Sequence, residues 1–235
     1  MFVKLAILLT RNLPNSLLQP LMKILGRFYD KHKSEMMFQK MWVKKFKANK
    51  HLAKEYWEKY RYLSEILTIT KIKKSTKVLD VGCGISSVLH FVPGKKYGID
   101  PLADEYKKIY RYPKDMTIVS GSGEEIPFKK NEFGVVFCTN VLDHTENPTK
   151  VVSEISRVLR SKGYFVLTVE LFDTPTKRDL AHPHGMTQKM VDSLLKKNYT
   201  KVFAKKSPWI GLYNYVVGKR KERNKEYISI WKKKI

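Results

Sequence analysis

The stretch KVLDVGCG, Lys77 to Gly84, decides the fold, because an apolar strand ends at Asp80 and closely spaced glycines follow it. Glycines directly after a β-strand let the backbone approach a bound ligand, and the helix expected next would direct its N-terminal amides to the same place. Nucleotide- and dinucleotide-binding proteins share this pattern. It therefore predicts a ligand near Gly82 and Gly84, with a plain strand-to-helix turn as the alternative.

A second acid follows Asp80 at a distance of 20 residues. The sequence GID, Gly98 to Asp100, places its carboxylate at the end of the next predicted strand. A carboxylate in that place can accept two hydrogen bonds from ribose hydroxyls, which need acceptors with that geometry. Asp80 and Asp100 together predict a nucleoside-containing cofactor, and by themselves they leave NAD open.

Short β-branched runs alternate with longer segments from residue 75 to about residue 170. We predict strands at 77–81, 96–99, 116–119, 134–139 and 163–169. We also predict a helix over 151–159 and another after a capping residue, Thr187. This alternation predicts an α/β fold in which helices cover both faces of a parallel sheet. Two closing strands, near 200–205 and 213–217, are close enough in sequence to pair as an antiparallel hairpin.

The first 70 residues lack this alternation and have a helical spacing of apolar residues instead. We expect helices over about 34–47 and 51–70. The chain then divides into three parts. These are a basic helical N-terminal extension at 1–70, an α/β domain at 71–218 and a basic, exposed C-terminal tail at 219–235.

The net charge of +24 is concentrated at the two ends of the chain. Residues 1–74 carry +12 and residues 171–235 carry +11, whereas residues 75–170 carry only +1. Strongly basic flanks attract nucleic acid, anionic lipid or phosphorylated substrates. The alternative is that the lysines only keep the surface solvated.

The first 30 residues combine positive charge with apolar residues, and Arg11, Pro14 and Pro20 interrupt the apolar run. No stretch reaches the ~18–20 apolar residues that span a bilayer, and the start lacks the small-residue cleavage site of a signal peptide. A basic and apolar composition predicts peripheral contact with an anionic membrane, with RNA as the alternative partner. The two cysteines, Cys83 and Cys138, favour a reducing, cytoplasmic setting.

The stretch GSGEEIPFKKNEFGVVFCTNVLDHTENP and the following VVSEISRVLRSKGYFVL resemble class I S-adenosylmethionine-dependent methyltransferases of the type that acts on small molecules and lipids. The family pattern has a polar turn, a hydrophobe-Pro-Phe, an apolar fourth strand, a group ending in His, a helix with Glu and Arg, and a turn with Gly. The matching residues are Gly121–Glu124, Ile126–Phe128, Val135–Cys138, His144, Glu154, Arg157 and Gly163. The resemblance is continuous over 75–170 and absent from 1–50.

The resemblance implies a Rossmann-like seven-stranded sheet of order 3-2-1-4-5-7-6, with an antiparallel seventh strand and S-adenosylmethionine as cofactor. Asp80 would anchor the methionyl ammonium beside Gly82 and Gly84, and Asp100 would hold the ribose. The adenine would lie at Ser122, Gly123 and Glu124, and Asn140 would face the sulfonium.

Three positions depart from the family pattern: Ser86 replaces the third glycine, Ser122 replaces an adenine-binding acid, and Gly134 replaces an Asp. These departures leave a non-catalytic binding module open as an alternative.

Methyl transfer depends mainly on positioning, and it needs a general base only if the acceptor must lose a proton. The candidate bases are His144, with Asp143 beside it, and His182 or His184 in the sequence AHPHG. Each histidine could instead have a capping or loop role. We expect no metal site, because no further ligand cluster accompanies the two histidines of AHPHG.

The residues after the fourth predicted strand disfavour two kinds of base methylation. The sequence CTNV lacks the Pro-Pro-aromatic element of enzymes that methylate exocyclic amines of DNA bases, and Cys138 lacks the preceding proline of a cysteine-nucleophile base methylase. A nicotinamide-dependent oxidoreductase is disfavoured because Ser87 replaces the third glycine of G-x-G-x-x-G. The sequence therefore predicts methyl transfer to a small-molecule or lipid-like acceptor, with an RNA methyltransferase as the alternative.

Overall fold

The computed structural model describes residues 30–173, 183–219, 221–222 and 224–235, and these contain a seven-stranded sheet. The strands are β1 (Lys77–Val81), β2 (Lys95–Asp100), β3 (Met116–Ser120), β4 (Phe133–Thr139), β5 (Leu159–Leu171), β6 (Tyr199–Pro208) and β7 (Lys225–Lys233). Their order is β3-β2-β1-β4-β5-β7-β6. Strands β1 to β5 pair in parallel, and β7 is antiparallel to both β5 and β6. The predicted fold class and strand order are confirmed.

Helices cover both faces of the sheet. They are α1 (Lys31–Ala48), α2 (Lys50–Tyr60), α3 (Leu63–Thr70), α4 (Ala103–Ile109), α5 (Pro148–Val158), α6 (Gln188–Leu195) and α7 (Leu212–Val216). Helix α5 shows why these segments pack on the sheet: Asn147 caps its start, and its apolar residues recur at helical spacing and are buried. Helices α5 and α6 cover one face, and α3 and α4 cover the other.

A third group of buried apolar side chains lies at the carboxyl edge of the sheet, and we call it the cap. It joins α1, α2 and α7 to Ile85 after β1 and to Leu102 after β2. Trp42 packs edge-to-face against Phe46 and Tyr213, with ring centroids 5.8 and 5.1 Å apart. Because ligands of open α/β sheets bind outside this edge, the cap lies where it can enclose a ligand.

A buried ion pair connects α2 to the sheet. Arg61, at the end of α2, donates two hydrogen bonds to Glu226 of β7, at 3.0 and 2.7 Å. The Tyr56 hydroxyl donates to the other oxygen of Glu226 at 3.0 Å. All three side chains are buried, so removal of one partner would leave an uncompensated polar group in the core.

The predicted C-terminal tail is wrong. Residues 225–233 of the supposed tail form β7, which lies between β5 and β6 and is buried along most of its length. The segment 213–217, which we expected to be the closing strand, forms most of α7 instead. The closing strand contains the apolar run YISIW, residues 227–231, which lies between basic residues. A short continuous apolar run is typical of a strand buried on both faces.

Two predicted helices also differ from the structure. The segment after Gly84 forms a single 3-10 turn, Val88–His90, and Pro93 and Gly94 follow it closely. The helix expected over 51–70 is divided into α2 and α3 at Tyr62, which has a left-handed backbone with φ 52°. Helix α3 packs into the core of the sheet. The predicted domain boundary at residue 70 therefore separates residues that belong to one hydrophobic core.

No helix in the described ranges is long and apolar enough to cross a membrane. The segment 1–29, on which the prediction of membrane contact rests, lies outside the described residues, and so does His182.

Candidate active site

The two predicted acids come together at the carboxyl ends of neighbouring strands. Asp80 is aligned with Gly98 in the parallel register of β1 and β2, and Asp100 ends β2 two residues later. The loop after β1 then crosses towards β2, since the amides of Gly82 and Cys83 donate to the Ile99 carbonyl at 2.8 and 3.0 Å. Both carboxylates therefore belong to one site.

Gly82 and Gly84 after β1 have backbone angles that favour glycine, and neighbouring side chains leave little room for a Cβ. Gly82 has φ 71° and Gly84 has φ 49°, a left-handed conformation that other residues rarely adopt. A Cβ on Gly82 would lie 2.4 Å from a methyl group of Val141, which follows β4. The loops after β1 and β4 are thus in close contact over this part of the edge.

Asp80 is fully buried, and the Ser87 hydroxyl donates to its Oδ2 at 2.7 Å. Its Oδ1 has no hydrogen-bond partner among the residues that the structure describes. Burial raises the pKa of Asp80 to about 7, although the hydrogen bond from Ser87 opposes this shift. A cation bound beside Asp80 would favour the ionised form and would satisfy the unpaired oxygen.

Asp100 is held by the backbone through both carboxylate oxygens. The amide of Gly84 donates to Oδ2 at 3.1 Å, and the amide of Leu102 donates to Oδ1 at 3.0 Å. Burial raises the pKa of Asp100 to about 6, and these two hydrogen bonds limit the shift. Each carboxylate oxygen has more than one acceptor direction, so the fixed carboxylate can still receive hydroxyl donors from a ligand.

The turn after β3 contains the predicted adenine-site residues Ser122, Gly123 and Glu124. Ser122 Oγ donates to the Glu124 carboxylate and accepts from the Glu124 amide, the latter at 3.0 Å. The same carboxylate accepts from the amides of Glu146 and Asn147, at 3.0 and 3.4 Å. Although burial opposes it, these donors lower the pKa of Glu124. Glu124 therefore links this turn to the loop after β4.

The Glu and Arg of the family pattern lie on α5, where they form hydrogen bonds to the hydrophobe-Pro-Phe segment, Ile126–Phe128. Glu154 of α5 accepts the amide of Ile126 at 3.0 Å. Arg157 pairs with Glu154 and donates to the carbonyls of Ile126 and Phe128, each at 2.8 Å. These contacts hold the segment that follows Glu124, so the Glu and Arg of α5 act in positioning the turn.

The candidate general bases lie around the loop after β4. Asn140 has φ 59°, and its Oδ1 is buried without a hydrogen-bond partner within the described ranges. Asp143 is buried and His144 is partly buried in the following 3-10 turn. The His184 amide donates to the Asp143 carbonyl at 3.4 Å, and its ring Nε2 is 3.3 Å from the Glu146 carbonyl. The structure thus brings Asp143, His144 and His184 together.

Helix α1 contributes residues to this site that were not predicted from the sequence. Gln39 accepts the amide of Ile85 at 3.2 Å, and Lys31 donates to the carbonyl of His144. Gln39 and Lys31 thus contact the loops after β1 and β4. Apolar residues at a spacing of four in this helix are Phe38, Trp42 and Phe46, whereas the buried residues are Gln39, Trp42 and Phe46.

Comparison with known proteins points to the same part of the chain. A family model described as a methyltransferase domain matches residues 79–167. A protein of Methanocaldococcus jannaschii is 32% identical over 56% of this chain and 53% of its own length. The sarcosine/dimethylglycine N-methyltransferase of Aphanothece halophytica is 30% identical over 40% of this chain and 37% of its own. The chain spans about half the length of the first of these curated relatives.

The solved structure of an S-adenosylmethionine-dependent methyltransferase from Methanosarcina mazei has the same fold. It superposes with a TM-score of 0.56 over 72% of this chain and 97% of its own, at 14% identity. The matched segment 79–167 begins within β1, ends within β5 and contains both strand-end acids. The segment 79–167 is therefore similar to methyltransferase domains, and the chain has the fold of class I S-adenosylmethionine-dependent methyltransferases.

Proposed function

We propose that the protein transfers a methyl group from S-adenosylmethionine to a small-molecule or lipid-like acceptor. The observation that carries the proposal is the placement of Asp80 and Asp100 on either side of the loop containing Gly82 and Gly84, within the matched domain. The orphaned Oδ1 of Asp80 suits a cationic group, and the fixed carboxylate of Asp100 suits a diol. The cofactor carries both.

The proposed roles of the site residues follow from these positions. Asp80 binds the methionyl ammonium, and Asp100 binds the ribose. The turn Ser122–Glu124 borders the adenine; because Glu124 is engaged by the loop after β4, recognition there depends mainly on shape and backbone groups. Asn140 lies on the sulfonium side, where its unpaired Oδ1 can orient a ligand.

When bound, the cofactor supplies an electrophilic methyl group, and the protein must place an acceptor atom in line with it. The loop after β4 and the cap form the surroundings of that acceptor. If the acceptor loses a proton, His144, supported by Asp143, or His184 would receive it. The clustering of these residues supports this assignment.

Calorimetric titration tests the proposed cofactor. We expect S-adenosylmethionine and S-adenosylhomocysteine to bind in the micromolar range, and NAD not to bind. Asp100→Ala should weaken binding by ~2 kcal/mol or more, because hydrogen bonding from the ribose to a charged acceptor is lost. Absence of binding by both sulfur cofactors would contradict the proposal, and binding without methyl transfer to any fraction of a cell extract would favour a binding module.

We also propose that the acceptor is met at an anionic membrane surface. Residues 1–74 carry +12, and the outer face of α1 exposes Met37 and Met41 among its lysines. A basic surface that also exposes apolar side chains suits binding to anionic lipid, with the apolar side chains entering the interface. RNA is the second candidate partner, because the same charge attracts phosphates.

Vesicle co-sedimentation tests the membrane proposal. The full chain, a variant lacking residues 1–29 and the double variant Met37→Ser, Met41→Ser should be compared on neutral and anionic vesicles. Asp30 is kept in the truncated variant because it caps α1. We expect the full chain to bind anionic vesicles and both variants to bind less. Failure of the full chain to bind would discard the membrane contact, and tight, salt-dependent RNA binding would favour RNA.

A further inference from the structure

The inner face of α1 lies directly over the loop that follows β1. Gln39 is 6% exposed; its Oε1 accepts the amide of Ile85 at 3.2 Å and its Nε2 donates to Glu35 at 2.9 Å. The same Nε2 is 3.0 Å from the point where a Cβ of Gly84 would stand. Side chains of α1 therefore contact the loop that carries the site's glycines.

A buried amide at this position has a directional role. Gln39 shares its helix face with Trp42 and Phe46, which are apolar members of the cap. An apolar residue could fill the space, whereas an amide must find partners for both its oxygen and its nitrogen. Its oxygen fixes the loop after β1, and its nitrogen fixes the Glu35 carboxylate on the side of that loop.

Glu35 is half-buried, and the Gln39 amide group that holds it lies against Gly84, whose backbone amide donates to Asp100 at 3.1 Å. Burial is the main cause of the raised pKa of Asp100, and the charge of Glu35 adds to it. The phenol of Tyr106 is influenced by both acids, so its pKa rises further after the larger effect of burial. Two like charges near one another disfavour ionisation, and a ligand that donates hydrogen bonds to both would relieve this repulsion.

We propose that Glu35 is a cofactor-binding residue that completes the ribose subsite from the N-terminal helix. Asp100 binds one hydroxyl of the vicinal diol and Glu35 binds the other, while Gln39 positions Glu35 and the Ile85 amide. The inference rests on the proposed function, since the ribose is that of the methyl donor. It makes α1 part of the cofactor site.

The test uses the full-length protein and ligands that differ in the diol. S-adenosylhomocysteine and its 2′-deoxy and 3′-deoxy ribose analogues are titrated by calorimetry into the wild type, Glu35→Gln, Glu35→Ala and Gln39→Leu. The control is Glu65→Gln, which neutralises an exposed acid in the first turn of α3. Thermal unfolding of each variant confirms that it is folded.

We expect Glu35→Gln and Glu35→Ala to bind S-adenosylhomocysteine about tenfold more weakly, the loss of one hydrogen bond to a charged acceptor. For one of the two deoxy analogues the same substitutions should change affinity less than about twofold, because the hydroxyl that Glu35 binds is already absent. Gln39→Leu should show the same difference between the intact ligand and that deoxy analogue, but a smaller one. Glu65→Gln should bind as the wild type does.

The role of Glu35 would be overturned if its variants lost the same affinity for S-adenosylhomocysteine and for both deoxy analogues. It would also be overturned if the folded Glu35 variants bound as the wild type does. Either result would leave the proposed function intact. Failure of the wild type to bind S-adenosylhomocysteine would overturn both.

Discussion

At the end of β1, the buried Asp80 has a pKa of about 7, because burial penalises its charged form more than the Ser87 hydroxyl stabilises it. A cationic ligand requires the charged form, so binding must remove the proton that Asp80 holds below this pH. We therefore predict that affinity for S-adenosylmethionine rises between about pH 6 and 7.5, by up to about tenfold per unit below the pKa. Calorimetry in buffers of different ionisation enthalpy would measure the released protons.

The variant Asp80→Asn provides the control for this pH dependence, since an amide cannot release a proton. Its affinity should be lower and nearly constant from about pH 6.5 to 7.5, where Asp100, with a pKa of about 6, is mostly ionised. The range ends below the pH at which the ligand's own amino group loses its proton. An equally steep profile in Asp80→Asn would assign the titration to another group.

Gly82 gives a prediction about packing at the site. Gly82→Ala should destabilise the protein by about 2 kcal/mol or more, because its φ of 71° disfavours a side chain and the new Cβ would overlap Val141. Gly211→Ala is the matched control, since Gly211 has φ 76° but its nearest neighbour would be 3.6 Å away. Denaturant unfolding should show a clearly smaller loss for the control; equal losses would mean that Val141 moves aside.

The position of Asp80, Gly82, Gly84 and Asp100 at one edge of the sheet could be predicted, because each lies at a strand end and parallel strands bring their ends to one edge. Glu35 could not be predicted in the same way, because its helix precedes β1 in the chain and only tertiary packing brings it to that edge. Gln39, which holds Glu35, lies on the buried face of α1, but a search for periodic apolar residues does not select a glutamine.

At the scale of elements, the contact between α2 and β7 depends on the Arg61–Glu226 pair. Glu226→Gln should cost ~3–5 kcal/mol, because it leaves the Arg61 charge in the core without its partner. The exposed pair of Lys54 and Glu58 on α2 provides the control, and Glu58→Gln should change stability by less than ~1 kcal/mol. Chemical denaturation of both variants measures the difference, and similar small losses would show that water reaches Arg61.

Strand β7 gives the second prediction at this scale. Removal of residues 219–235 should prevent folding, because β5 and β6 both pair with β7 and would lose their shared partner. Circular dichroism and gel filtration of the truncated chain measure the outcome. A folded, monomeric truncated protein would support the tail that the sequence predicted and contradict the sheet described above.

The central strands were predictable because each is an apolar run bounded by turn residues, as at Lys77–Val81. Strand β7 was missed because the charge of its flanks hid a short run, YISIW, that is buried in the sheet. Helix α7 was mistaken for a strand because a short run of aromatic and β-branched residues has no clear period. Pairing with β5 and β6 determines the structure of β7, and packing in the cap accompanies the helical structure of α7.

At the scale of the whole molecule, the cap unites segments from both ends of the chain over the central domain. Helices α1 and α2 come from the basic N-terminal part, and α7 comes from the segment between β6 and β7. The cap therefore connects the proposed cofactor site on its inner side with the lysine- and methionine-bearing face of α1 on its outer side. This arrangement suits the proposed acceptor if it reaches the protein from an anionic surface.

A crystal structure of the full chain with S-adenosylhomocysteine tests the central claim most directly. We predict electron density for the ligand between α1 and the carboxyl ends of β1 and β2. Its ribose should lie on Asp100, its amino group beside Asp80 and its adenine at the turn containing Ser122. Ligand density at another edge of the sheet, or none at a saturating concentration, would contradict the claim.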